Sequence, residues 1–214
     1  MLRCAITSGD GWAALAQARR WSSAGIEFVQ LREKQLAPEE LLRLASSTAA
    51  AVRESLRRSE HPSHSVTRLL LNGPAELAVR AGADGVHLTT RPDELTPAEV
   101  RRRFALLGAP PPIIGVSCHT LEQVRHADDG GADLILFGPV FEKQVKGVTA
   151  VAGVGLEPLR EACAAAKTTP VLALGGVTWT NAPQCLQVGA AGVAGIRLFD
   201  DSTSPGSVRL RNYR

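Results

Sequence analysis

The chain alternates between short apolar runs and longer amphipathic stretches. Eight apolar or β-branched runs each end on a polar residue, a glycine or a charge: Arg3–Thr7, Ile26–Leu31, Arg68–Asn72, Asp84–Leu88, Ile113–Ser117, Asp133–Phe137, Val171–Leu174 and Val193–Ile196. Such runs are typical of parallel strands covered by helices on both faces. Helical apolar spacing marks the stretches between them: Gly11–Ala24, Pro38–Arg57, Pro74–Ala81, Pro97–Leu107, Leu121–Asp129, Leu156–Lys167 and Asn181–Val188. The pattern predicts a βα protein with eight strands.

A repeated glycine supports a closed arrangement of these strands. Gly25, Gly82, Gly131 and Gly189 each stand between a predicted helix and the next strand, 57, 49 and 58 residues apart. Glycine suits the left-handed residue that ends a helix, and each interval is roughly two βα units. We therefore predict a single (β/α)8 TIM barrel over residues 1–200. A doubly wound open sheet also alternates βα units, but it explains the even spacing less well.

The end of the chain departs from this pattern. Residues 201–214 form a polar tail with weak helical character, so we predict a weak or truncated final helix. The exposed seam that would result is a candidate contact for a second subunit, and a homodimer is the oligomer it favours.

Composition narrows the class of protein. The chain has 214 residues, 44% of them hydrophobic and 4% aromatic, and a formal net charge of +3. One domain core and no nucleic-acid surface are expected, because the arginine clusters lie in helical stretches that also carry glutamates. No run reaches the ~18 apolar residues of a membrane span, and four widely spaced cysteines offer no zinc-ligand spacing. We expect a reduced, cytoplasmic protein without membrane contact.

Polar and basic residues follow the predicted strands. In a (β/α)8 barrel the active site lies at the carboxyl ends of the strands, where these residues converge. Arginine and lysine both bind phosphate, so the separated pairs Arg32/Lys34 and Lys143/Lys146 predict a phosphate or diphosphate ligand. Scattered surface charge is the alternative. The candidate ligand-binding residues are Gln30, Arg32, Lys34, Asn72, His87, Ser117, Lys143, Lys146, Gly175, Gly176 and Arg197.

Three of these positions, together with one further histidine, leave alternatives open. Gly175 and Gly176 end the seventh strand, where barrels of this type often bind phosphate, but a tight turn would also need them. His119 stands two residues beyond the fifth strand and is the candidate catalytic acid or base. His87 lies within its strand and could point into the barrel or outwards, so a structural hydrogen bond and a ligand contact are equally open.

Six ordered motifs over residues 3–199 resemble the thiamine phosphate synthase superfamily, which includes the synthase and the TenI-type thiazole tautomerases. They are QLREK (30–34), LLLN (69–72), AGADGVHL (81–88), IIGVSCHT (113–120), GADLILFGPVF (131–141) with Lys146, and LALGGV (172–177). For the synthase, the resemblance implies Mg²⁺-assisted joining of an aminopyrimidine diphosphate and a thiazole phosphate, with release of pyrophosphate. It places Gln30, Arg32, Lys34, Asn72, Ser117 and Lys146 at the diphosphate and Gly176 at the thiazole phosphate.

The chain departs from the synthase pattern at both metal carboxylates. The synthase's Asn-Asp reads Asn72-Gly73, and its Gly-Gln-x-Asp reads Thr89-Thr90-Arg91-Pro92. Mg²⁺ is usually anchored by one or two carboxylates, so we expect no metal site and no cofactor. The tautomerase branch is similar in this respect. The resemblance aligns its catalytic histidine with His119 and implies a metal-free proton shift, although Gln30 and Lys34 are closer to the synthase.

Three functions remain in competition. We favour a tautomerase-like enzyme in which His119 moves the proton and Gly175, Gly176 and Arg197 hold the phosphate. The second is a divergent synthase in which Lys143 stands where metal charge is needed. The third is a non-catalytic binder of thiazole or thiamine phosphate. Under each, the ligand is a phosphorylated thiazole or pyrimidine, and the irregular segment Phe141–Val154 is a candidate lid.

Overall fold

The computed structural model describes residues 1–58, 66–91, 93–145 and 148–200. Eight parallel strands form a closed barrel in the order β1-β10-β9-β6-β5-β4-β3-β2. The predicted (β/α)8 barrel is therefore confirmed, and the open sheet is excluded. The strands are β1 (Leu2–Ile6), β2 (Phe28–Leu31), β3 (Arg68–Leu71), β4 (Gly85–Leu88), β5 (Ile113–Cys118), β6 (Leu134–Phe137), β9 (Val171–Leu174) and β10 (Gly192–Gly195).

Seven helices lie among the described residues, close to the predicted stretches. Two of them, α4 and α5, begin with capping boxes in which Thr96 pairs with Glu99 and Thr120 with Gln123. No helix in the described ranges is long and apolar enough to cross a membrane. The helices are α1 (Ala13–Ser23), α2 (Pro38–Arg58), α3 (Ala75–Ala81), α4 (Pro97–Leu106), α5 (Leu121–Asp129), α6 (Leu156–Ala165) and α7 (Ala182–Gln187).

The glycine repeat ends helices in the predicted way, since all four glycines have positive φ, from 69° to 107°. In the first three repeats, an acid two residues beyond the glycine ties neighbouring strands together. Glu27 accepts the backbone N–H of Arg3, Asp84 that of Leu69, and Asp133 that of Ile114. Each acid thus binds a backbone N–H near the start of the preceding strand. The repeat therefore serves strand pairing as well as helix termination.

Apolar side chains fill most of the barrel interior. The interior cluster consists of alternate strand residues: Cys4, Ile6, Leu70, Leu134, Leu136, Leu172 and Ala194. Burial raises the pKa of the Cys4 thiol to about 12, so it packs as a small apolar side chain. The interior is a packed core that supports whatever lies at the mouth.

An antiparallel hairpin follows β6, where we expected an irregular loop. It consists of β7 (Lys143–Val145) and β8 (Val148–Val151). Strands of three and four residues are too short for apolar alternation to reveal. Closure of this segment as a lid stays a prediction.

The barrel ends without a further helix between β10 and Asp200, as predicted. Leu198 and Phe199 instead pack into the seam and are almost fully buried. Trp21 Nε1 donates to the carbonyl of Phe199 at 3.0 Å, and the Trp179 ring meets Phe199 edge-on at 5.6 Å. The predicted tail, residues 201–214, lies outside the described residues, and the homodimer stays a prediction.

Candidate active site

Polar side chains form two layers inside the barrel mouth. Side chains from alternate strands of a (β/α)8 barrel form layers of four. The observed registers place Gln30 and His87 in one layer, with Leu136 and Ala194. The next layer towards the mouth holds Asn72, Ser117, Ile6 and Leu174. The polar members all come from β2–β5, so the mouth has one polar side and one apolar side.

Hydrogen bonds connect three of these predicted residues. His87 Nε2 lies 2.8 Å from Ser117 Oγ, and the Asn72 amide donates to the carbonyl of His87 at 2.8 Å. Burial, and secondarily the positive charge of Arg32, lowers the pKa of His87 to about 3. His87 is therefore a neutral hydrogen-bonding group at physiological pH. It points into the barrel, which decides the orientation that the sequence left open.

Two buried polar atoms at the mouth have no hydrogen-bond partner among the described residues. They are Gln30 Oε1 and His87 Nδ1, on side chains that are 3% and 2% exposed. Nδ1 lies so close to the β5 backbone that a Cβ on Gly115 would come within 2.6 Å of it. Buried polar atoms usually have partners, so an unpaired amide oxygen at the mouth is consistent with a ligand or water contact.

A buried glutamate that we did not predict organises the loop after β2. Glu33 is 1% exposed, accepts from Thr7 Oγ1 at 2.6 Å and accepts from the N–H of Gly11 at 2.7 Å. The same Thr7 hydroxyl accepts the N–H of Arg32 at 2.9 Å. This network fixes the backbone between Arg32 and Lys34. A lone carboxylate between two cations was the available signal in the sequence.

His119, the predicted acid or base, is exposed directly after β5. Its Nδ1 lies 2.5 Å from the carbonyl of Gly138. Because a carbonyl only accepts, Nδ1 carries the proton and Nε2 is an acceptor in the neutral ring. The N–H of His119 also donates to Gln123 Oε1 at 2.7 Å, which fixes it at the start of α5. The geometry suits a general base, but proton transfer by His119 stays a prediction.

Gly175 and Gly176 pack tightly against the segment after β6. Their φ values are +90° and +61°. A Cβ on Gly175 would come within 2.6 Å of Pro139, and one on Gly176 within 2.7 Å of the carbonyl oxygens of Phe141 and Glu142. This close approach by itself requires glycine, so phosphate binding there stays a prediction.

Arg197 is exposed after β10. The side chain of Lys143, and the whole of Lys146, lie outside the described structure.

A cavity of about 550 Å³ opens beside the polar side of the mouth. Predicted site residues that line it are Lys34, Asn72 and His87. Those that do not line it are Gln30, Arg32, Ser117, His119, Gly175, Gly176 and Arg197. The wall also contains Gly73, Arg91 and three glutamates, Glu33, Glu76 and Glu94. We call this space the β3–β4 cavity.

The residues of the β3–β4 cavity do not fit Mg²⁺, the ion that the synthase pattern implies. Glu94 accepts from the hydroxyl and N–H of Thr89 at 2.7 and 3.2 Å, and Glu76 pairs with Arg103. Glu33 is held by the network described above. Across the described ranges, no group of three or more His, Cys, Asp or Glu side chains is placed to hold a metal. The carboxylates present therefore serve intramolecular contacts.

The fold and the mouth together define a (β/α)8 barrel with a basic, polar site at the carboxyl ends of its strands. The chain belongs to the TMP-TENI family, thiamine monophosphate synthase, which matches residues 4–199. The superfamily predicted from the six motifs is confirmed, and the chain is accordingly an enzyme of a thiamine-biosynthesis family.

Relatives that cover most of the chain carry the synthase name. A putative thiamine-phosphate synthase of Geobacter sulfurreducens is 41% identical over 177 residues, covering 80% of this chain and 72% of that protein. The thiamine-phosphate synthase of Thermus thermophilus is 34% identical over 203 residues, with 94% and 89% covered. Our expectation of a chain closer to the TenI-type tautomerases is not supported, because these names favour the synthase alternative.

A solved structure agrees with the fold. Thiamine phosphate pyrophosphorylase from Pyrococcus furiosus superposes with a TM-score of 0.74 at 24% identity, covering 95% of this chain and 89% of that one. At this identity the likeness supports the barrel alone.

Proposed function

We propose that the chain is a thiamine phosphate synthase, a transferase that joins an aminopyrimidine diphosphate to a thiazole phosphate and releases pyrophosphate. The observation that carries the proposal is the grouping of polar residues from β2–β5 at one side of the mouth. The resemblance assigns several of them to the diphosphate, and the hydrogen bonds of His87 connect Asn72 and Ser117. The synthase names of relatives that cover most of the chain add support.

The proposed roles follow from charge and position. Arg32 and Lys34 neutralise the negative charge that accumulates on the departing diphosphate, which is the main electrostatic demand of such a transfer. Gln30 and Ser117 supply neutral hydrogen bonds inside the barrel. His87 is a positioning residue that holds Ser117, since its depressed pKa keeps it from acting as an acid.

The test is a fluorescence assay on the purified chain. Thiamine phosphate formed from the two substrates is oxidised to its thiochrome derivative, whose fluorescence is followed over time. We expect product, and a loss of at least about tenfold in kcat/KM for Arg32→Ala, which removes a charge-assisted phosphate contact. Arg80→Ala is the matched control, because Arg80 is exposed near the end of α3 and lies outside the cavity wall. If no product forms in metal-free buffer and none forms in Mg²⁺-containing buffer, the synthase is rejected.

A tautomerase-like proton shift on carboxythiazole phosphate is the second candidate. It is favoured by the His119 geometry, in which Nδ1–H donates to Gly138 and leaves Nε2 as the base. His119→Asn should abolish tautomerisation while thiazole phosphate binding persists. Equal turnover of variant and wild type would exclude it. Binding of the phosphate without conversion of either substrate set would instead identify a non-catalytic binder.

A further inference from the structure

The carboxylates of the β3–β4 cavity are held by donors of the same chain, although the synthase pattern would place a cation there. Its three glutamates are each engaged by a donor of the same chain: Glu33 by Thr7 and Gly11, Glu76 by Arg103, and Glu94 by Thr89. Gly73 contributes no side chain where the synthase pattern has an aspartate. The carboxylate oxygens of the wall are therefore already occupied by donors of the same chain.

Two cations of the same wall are available to a ligand. Lys34 is exposed and makes no ion pair or hydrogen bond with its side chain in the described part of the protein. Arg91 pairs with Asp93 across 3.8 Å, and the two side chains are 69% and 79% exposed. An exposed ion pair this long contributes at most weakly, so an anionic ligand can displace it.

Arg91 stands in the stretch that replaces the second metal carboxylate. The sequence there is Thr89-Thr90-Arg91-Pro92, and Glu94, three residues beyond Arg91, is tied back to Thr89. The loss of a carboxylate and the gain of a guanidinium both make the charge of this stretch more positive than in the synthase pattern. A guanidinium group can bind two phosphate oxygens at once, and a metal ion would otherwise bridge such oxygens.

We propose that Lys34 and Arg91 bind a diphosphate directly in the β3–β4 cavity, in place of Mg²⁺ and its carboxylates. The identity of the ligand as a diphosphate rests on the proposed function. The binding itself does not, because inorganic pyrophosphate presents the same group without the organic substrate.

The experiment is calorimetric titration of the full chain with inorganic pyrophosphate, in excess EDTA and again in excess MgCl₂. We expect binding in EDTA with an affinity that Mg²⁺ does not improve. Arg91→Ala should weaken binding about tenfold, as the loss of one charge-assisted contact predicts, and Arg80→Ala should leave it unchanged. Thermal melting of each variant verifies that it is folded. Binding that requires Mg²⁺, or that Arg91→Ala leaves unchanged, would overturn the proposal.

Gly73→Asp gives an independent test by restoring a carboxylate. A Cβ on Gly73 would make only ordinary contacts, the nearest being 3.4 Å to Leu71 and 3.5 Å to Leu41. The new charge should weaken pyrophosphate binding severalfold in EDTA by repulsion. Unchanged affinity would place the anion elsewhere and contradict the proposal. Thiochrome formation combined with Mg²⁺-dependent pyrophosphate binding would refute this site alone. Metal-free pyrophosphate binding that depends on Arg91, without thiochrome formation, would refute the synthase alone.

Discussion

His87 is a neutral hydrogen-bonding group because burial holds its pKa far below neutrality. In the unfolded chain its pKa is about 6.5, so the unfolded state alone binds a proton between that value and the folded value of about 3. Protonation of the unfolded chain therefore draws the protein towards unfolding as the pH falls below about 6.5. The stability contribution is complete above that pH and is lost below it.

His87→Gln should remove this dependence while preserving a donor towards Ser117. We expect the free energy of unfolding of wild type, relative to the variant, to fall by about 1 kcal/mol per pH unit below pH ~6.5. Urea unfolding followed by circular dichroism at several pH values measures it. His126→Gln is the control, because His126 is exposed on α5 and should leave the slope unchanged. A His87→Gln slope equal to that of wild type would show that His87 protonates in the folded protein.

Asp128 stabilises the opposite end of the barrel. It is 8% exposed and accepts from the N–H groups of Lys167, Thr168 and Thr169 and from the Thr168 hydroxyl. Burial by itself would raise its pKa, but these hydrogen bonds outweigh burial and hold the pKa well below its ordinary value. Its contribution is present at neutral pH and is lost as acid protonates the folded carboxylate.

Asp128→Ala should lower the free energy of unfolding by about 3 kcal/mol at pH 7, since three N–H groups, that of Thr169 buried, lose a charged acceptor. Urea unfolding measures the loss. The neighbouring Asp129→Ala is the matched control: Asp129 is exposed and makes a 3.4 Å pair with Lys167, so a change within about 0.5 kcal/mol is expected. Similar losses for both variants would mean that the hydrogen-bond network of Asp128 is not the cause.

The inward orientation of individual site residues could be predicted where their position in the strand alone decides it. Gln30, Asn72 and Ser117 stand at strand ends, and alternation directs them inwards. Glu33 was missed because its partners Thr7 and Gly11 lie more than twenty residues away. The role of Arg91 depends on the pairing of nearby glutamates, which is a tertiary property that spacing does not encode.

At the level of elements, Phe199 packs into the seam of the barrel just beyond β10. It is 3% exposed and contacts Trp21 and Trp179. Phe199→Ala should lower the free energy of unfolding by about 3 kcal/mol through the cavity it leaves. Urea unfolding checks this, with Leu106→Ala as control because Leu106 is 79% exposed and should have almost no effect. A near-zero loss for Phe199→Ala would show that the seam is closed by other contacts.

Regular elements were predicted well because several patterns agreed on each of them. Apolar runs, proline starts and the glycine repeat all indicated the same βα units. The hairpin Lys143–Val151 was missed because its strands are short and pair only with each other. Local periodicity carries too little information at that length.

At the scale of the whole barrel, the predicted site residues fall into two groups. Lys34, Asn72 and His87 line the β3–β4 cavity together with Arg91. His119, Gly175, Gly176 and Arg197 follow β5, β9 and β10 and do not line that cavity. The synthase proposal depends mainly on the cavity and the polar residues of β2–β5, and the tautomerase alternative on His119 and the positions after β9 and β10.

The most direct test of the account is thiochrome fluorescence from the purified chain, given both substrates in excess EDTA. We predict that thiamine phosphate forms in EDTA at a rate comparable to that in Mg²⁺, because side-chain cations replace the metal. Arg91→Ala should slow this metal-free reaction, and Arg80→Ala should not. The absence of product in EDTA, whether or not Mg²⁺ restores it, would contradict the account.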